Sequence, residues 1–116
     1  MQTAVVILGI AALGGITLAS MRFSGTLLPP TWMALGHGAV AATGLGFLIA
    51  AAVDPGVPLM AQVALGVFLL AALGGAVIFL GFHMKKKPLP IPLILGHGLT
   101  AVVGYILLLM ALYGSP

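Results

Sequence analysis

The sequence predicts an all-α membrane protein, a single domain over residues 1–116 folded as a four-transmembrane-helix up-down bundle of two tandem two-helix repeats. Three observations carry this expectation. The chain is 62% hydrophobic and 4% charged, where a soluble domain carries about a quarter charged residues. Four apolar stretches, Thr3 to Met21, Thr31 to Val53, Leu59 to Phe82 and Ile91 to Tyr113, each approach the roughly 20 residues that a helix needs to cross the hydrocarbon core. Residues 1–56 also lie on residues 61–116 without a gap, with 16 identities: Gln2, Ala4, the five of AALGG (Ala11 to Gly15), Pro30, the four of LGHG (Leu35 to Gly38), Ala41, Gly44, Leu48 and Ala51 with their partners 60 positions on.

The first stretch ends in small residues, "TLASM", as a cleaved leader does, but it lacks a basic N-terminal region and recurs as the third stretch, so it is read as a structural span. The runs are continuous rather than alternating, which favours helices over strands, and only helices satisfy their own backbone groups in lipid. Pro30 and Pro90 start the second and fourth helices, where a missing N–H is not needed. Asp54, Pro55 and Gly56 form the turn after helix 2. With two spans per unit, the repeats run in the same direction, related by a pseudo-twofold along the membrane normal. Helices 2 and 4 are then parallel and face each other across a diagonal.

Charge sets the orientation. Arg22 lies in the first connection and Lys85, Lys86 and Lys87 in the third, whereas the second holds only Asp54. The positive-inside rule makes the first and third loops cytoplasmic and both termini external, the arrangement expected in a bacterial inner membrane. Trp32 and Tyr113 are placed as interfacial anchors. The "MKKK" run reads as a topology determinant and a contact to the lipid bilayer.

Within helix 2, His37, Ala41, Gly44, Leu48 and Ala51 step by four and three, as do His97, Ala101, Gly104, Leu108 and Ala111 in helix 4. That spacing is one face of a helix. The two stripes point inward, and each histidine lies roughly 10 Å inside its helix start, seven residues past a proline. Gly14, Gly15, Gly74 and Gly75 fall in the same layer, with Gly36, Gly38, Gly96 and Gly98 beside the histidines. This layer holds too little side-chain volume for a close-packed core. Two opposed imidazoles and a gap bordered by glycines fit a haem held on both faces, with His37 and His97 as iron ligands, because imidazole is a standard axial ligand and glycine lets a macrocycle approach the backbone. Arg22 and His83, at helix ends on the cytoplasmic side, are the expected partners of the anionic propionates. His83 has Phe23 as its repeat counterpart and stands outside the symmetric pair.

Paired histidines on facing membrane helices, flanked by glycine, resemble the b-type membrane cytochromes, and the likeness rests on His37, His97 and their glycines across the four-helix core. The resemblance implies one haem b and electron transfer rather than a stand-alone enzyme, with a quinone or a redox partner protein exchanging electrons near the cytoplasmic face. Members that carry electrons across the bilayer resemble each other in having two histidine pairs at two depths; this chain has one.

Other readings stay open. The histidines can be interhelical glue, a proton relay, or ligands of a chlorophyll-type tetrapyrrole. The small residues can simply be close helix packing, and Gly/Ala-rich outer faces allow a homodimer or a place in a larger membrane complex. In size the chain is similar to the small multidrug transporters, but those depend on an acidic residue in the first helix, and helix 1 has none. Absence of cysteine excludes thiolate chemistry. No carboxylate pair, GxGxxG or GxxxxGK loop is present, and four basic residues giving a net charge of +3 reflect topology, not a nucleic-acid footprint.

Overall fold

The structure, a computed structural model, describes residues 1–114; the last two residues of the second repeat lie outside the described residues. Four helices follow one another: α1 (Gln2–Phe23), α2 (Thr31–Ala52), α3 (Leu59–Ile78) and α4 (Ile91–Tyr113). A π turn, Phe79–His83, extends α3, so its apolar span reaches Leu59–His83. Spans of 22, 22, 25 and 23 residues are all long and apolar enough to cross a membrane. Helix α1 packs along α2 and α3 along α4, while α1 against α4 and α2 against α3 close the ring. The bundle measures 45 × 21 × 19 Å.

The helix starts follow from their prolines. Pro30, Pro58 and Pro90 occupy the N-cap positions, and Pro92 lies in the first turn of α4, where a helix has no internal use for the N–H. The first connection turns at Gly25, whose φ of +107° requires glycine.

One element departs from the sequence expectation of a regular helix to Phe82. Past Ile78 the Met84 N–H donates to the Phe79 carbonyl at 2.8 Å and the Lys87 N–H to the Phe82 carbonyl at 2.9 Å, both spanning five residues. The wider turn adds a residue and rotates the side chains that follow. His83 is thereby buried, 7% exposed, and stacked on Phe79. Its counterpart Phe23 ends a regular helix and is 51% exposed.

The bundle is solid at one end and hollow at the other. Near the termini Ala4, Val5, Leu8, Leu48, Ala64, Phe68 and Leu108 form a continuous core in which Leu48 and Leu108 are fully buried. At the opposite end the two loops are tied together: Arg22 Nε donates to the Leu89 carbonyl at 2.9 Å and the Leu89 N–H to the Leu27 carbonyl at 3.3 Å. Between them many of the facing residues are alanine and glycine, such as Ala12, Gly15, Ala72, Gly75 and Ala101, and a cavity remains. Leucines, valines and isoleucines such as Leu13, Ile16, Leu73 and Val102 point outward, as the lipid side of a membrane-crossing helix requires.

Candidate functional site

His37 and His97 meet across the α2/α4 diagonal with ring centroids 6.2 Å apart and planes at 87°. Each ring is held by the other helix of its own hairpin. His37 Nδ1 bonds the Ala11 carbonyl at 2.9 Å, and His97 Nδ1 bonds the Ala71 carbonyl at 2.7 Å. A carbonyl can only accept, so Nδ1 carries the proton on both rings, and in the neutral imidazole Nε2 keeps its lone pair. Such a bond is what orients a metal-ligating histidine and raises its basicity.

The AALGG motifs build this support twice over. Their first alanine supplies the accepting carbonyl and their last glycine the floor beneath the ring. A Cβ at Gly15 would lie 3.0 Å from His37 Cε1, and one at Gly75 would lie 3.0 Å from His97 Cε1. Gly14 and Gly74 also face the rings, with such a Cβ 3.6 Å from His37 Nδ1 and 3.7 Å from His97 Cβ. Gly15 and Gly75 therefore make room for the imidazoles, whereas a Cβ at Gly14 or Gly74 would meet them in ordinary contact.

The other expected site residues separate into groups. Gly38, Ala41, Ala101 and His83 line a cavity of about 610 Å³ together with both histidines, Gly15 and Gly75. Gly36 and Gly14 line a smaller groove between α1 and α2 on the other side of His37. A side chain at Gly36, Gly38, Gly96 or Gly98 would meet nothing within 4 Å, and Gly96 and Gly98 are not among the cavity's lining residues. Gly44 and Gly104 are also outside that lining: they are helix-crossing positions, where a Cβ would lie 2.8 Å from Leu8 Cγ and 3.3 Å from the Phe68 ring respectively. Arg22 ties the loops and does not reach the lining.

The cavity runs from Pro29, Leu89 and His83 near the loops, through the histidine layer, to Tyr105 and Phe68 above the solid core. It falls within the range of small-molecule sites, about 300–1,000 Å³. Among the described residues no three His, Asp, Glu or Cys side chains converge to hold a metal. The two imidazoles could hold an ion only if its remaining coordination came from a group that the chain itself does not supply.

Sequence reasoning missed Thr31, whose Oγ1 lies 3.1 Å from His83 Nε2 in a hydrogen bond, and Tyr105, whose hydroxyl donates to the Val5 carbonyl at 2.9 Å. The available signal was departure from the repeat: Tyr105 stands where the first half has Leu45. The carbonyls of Ala11 and Ala71 carry no side-chain signature. Comparisons of the chain with protein-family models, curated proteins and solved structures find no match.

Proposed function

We propose that the protein is a membrane b-type cytochrome that binds one haem b between α2 and α4 and passes electrons to or from a quinone or a partner protein. The observation that carries this reading is the pair of imidazoles, each with Nδ1–H donated to a carbonyl, facing one cavity at a centroid separation of 6.2 Å. A metal–imidazole bond is about 2 Å long. Two such bonds on opposite sides of one ion, with the radius of each ring added, separate the centroids by about 6 Å. Rings turn freely about the metal–nitrogen axis, so perpendicular planes suit this arrangement.

The residues divide the task. His37 and His97 hold the iron, Ala11 and Ala71 fix the tautomer, and Gly15 and Gly75 set ring position. His83 at the loop end of the cavity receives a propionate, with Arg22 at the same end contributing positive charge. Apolar walls exclude water and lower the local dielectric. A bound haem supplies reversible one-electron chemistry at its iron. The four spans act as two hairpins related by a pseudo-twofold along the membrane normal, with the lysine-bearing loop cytoplasmic by the positive-inside rule.

An edge-on ring pair with centroids 6.2 Å apart is also how two aromatic rings pack without a ligand, so interhelical packing is the second reading. Acid extraction of the protein purified from membranes separates the readings. An iron porphyrin at one per chain supports the cytochrome, a magnesium chlorin replaces it with a pigment-binding role, and lipid alone in a protein that also refuses added haem leaves the packing role.

A further inference from the structure

We propose that Tyr105 is the specificity-determining residue of the cavity, selecting one of the two orientations in which an unsymmetrically substituted tetrapyrrole can lie between the histidines. This rests on the haem reading. The lining is matched across the repeat at the residues that hold the ligand: His37 with His97, Ala11 with Ala71, Gly15 with Gly75. A half-turn about the bundle axis exchanges these partners and leaves the ligating geometry unchanged. A haem given the same half-turn keeps both propionates at the loop end, and exchanges the methyl and vinyl groups at its other edge. The histidines and His83 therefore cannot tell the two orientations apart. Discrimination has to come from the end of the cavity away from the loops.

That end is unequal. Two repeat pairs differ there, Leu8 with Phe68 and Leu45 with Tyr105, all four lining the cavity; Leu8 and Phe68 are core residues seated on the matching crossing glycines Gly44 and Gly104, which leaves Leu45 on the α2 side and Tyr105 on the α4 side as the walls above the core. The tyrosine is fixed at its far end, with its hydroxyl donating to the Val5 carbonyl of α1 at 2.9 Å. Gly9 makes that reach possible, because a Cβ there would lie 2.7 Å from the hydroxyl. The repeat partner of Gly9 is Leu69, which is 48% exposed, so the other hairpin has no matching slot. Val5 and Ala11 are about 9 Å apart along α1, which sets the tyrosine hydroxyl below the layer where Ala11 holds His37. The aromatic ring, pinned at its hydroxyl, is a wall on one side, opposite a smaller leucine. Only one of the two haem edges, methyl-bearing or vinyl-bearing, packs against that wall without displacing it.

The test is proton NMR of the full chain reconstituted with ferric haem b, reading the hyperfine-shifted haem methyl signals. The wild-type protein is expected to show one set in excess by about ten to one or more, equivalent to about 1.4 kcal/mol. Tyr105→Phe keeps the ring and should keep one dominant set, whereas Tyr105→Leu copies the first half and should give two comparable sets. A haem with methyl groups in place of both vinyls is unchanged by the half-turn and should give a single set in the wild type and in Tyr105→Leu, which ties a second haem b set to orientation and not to a second state of the protein. Two comparable haem b sets in the wild type, or one dominant set with Tyr105→Leu, overturns the role of Tyr105 while leaving the cytochrome intact. A wild-type protein with no six-coordinate haem spectrum overturns both.

Discussion

Replacing Gly15 with alanine separates ring positioning from bundle packing. The new Cβ would sit 3.0 Å from His37 Cε1, where ordinary contact begins at 3.4 Å, so the imidazole has to retreat by about 0.4 Å or tilt away from the Ala11 carbonyl. A ligand constellation tolerates displacement of only about 0.5 Å, and loss of a supporting contact to a metal ligand costs roughly 10–100-fold in affinity. Alanine in a helix interior is otherwise better than glycine by roughly 0.5–1 kcal/mol. The expected result is divergent: the ligand-free protein keeps or raises its thermal midpoint, and haem affinity, titrated by absorbance, falls about 10–100-fold. Gly36→Ala is the control, because its Cβ meets nothing within 4 Å; it should leave affinity unchanged. Equal affinities for the two variants, or a fall in the stability of the ligand-free Gly15→Ala protein that matches its loss of binding, would refute the positioning role.

Gly44→Ala should destabilise the bundle by about 1–3 kcal/mol through overpacking, since its Cβ falls 2.8 Å from Leu8 Cγ. Gly104→Ala, at 3.3 Å from the Phe68 ring, should cost less, and denaturant unfolding in detergent ranks the two. Removing the Arg22 link to the Leu89 carbonyl with Arg22→Ala should cost about 1.5–3 kcal/mol and raise hydrogen exchange in the first and third loops. His83→Ala loses the Thr31 hydrogen bond, worth about 1 kcal/mol. It should also lower affinity for haem b more than for haem dimethyl ester, which has no free carboxylates to anchor.

The spans were legible because lipid imposes a length and a composition on any crossing helix. Their observed bounds differ from the expected ones by a few residues at most, as at Gln2–Phe23 against Thr3 to Met21. The inward meeting of His37 and His97 was legible because a repeated stripe can be counted in the sequence. What holds the rings was not, since a backbone carbonyl such as that of Ala11 has the same signature at every residue. The glycines of AALGG were expected to clear space for a macrocycle; Gly15 and Gly75 also lie against the imidazoles, a contact that spacing cannot show. The π turn was invisible because Phe79–His83 is as apolar and helix-compatible as its neighbours, and its consequence, a buried His83, depends on rotation by one extra residue. Tyr105 reads as an ordinary helix residue until its reach to Val5 is seen.

The central claim is that His37 and His97 grip one iron from opposite faces, and the reduced-minus-oxidised visible spectrum of the purified protein, taken with His37→Ala and His97→Ala, tests it most directly. The account predicts a six-coordinate low-spin b-type spectrum in the wild type that is lost in both variants. A colourless wild type that stays so after incubation with haem, or a low-spin spectrum that survives in either variant, would contradict it.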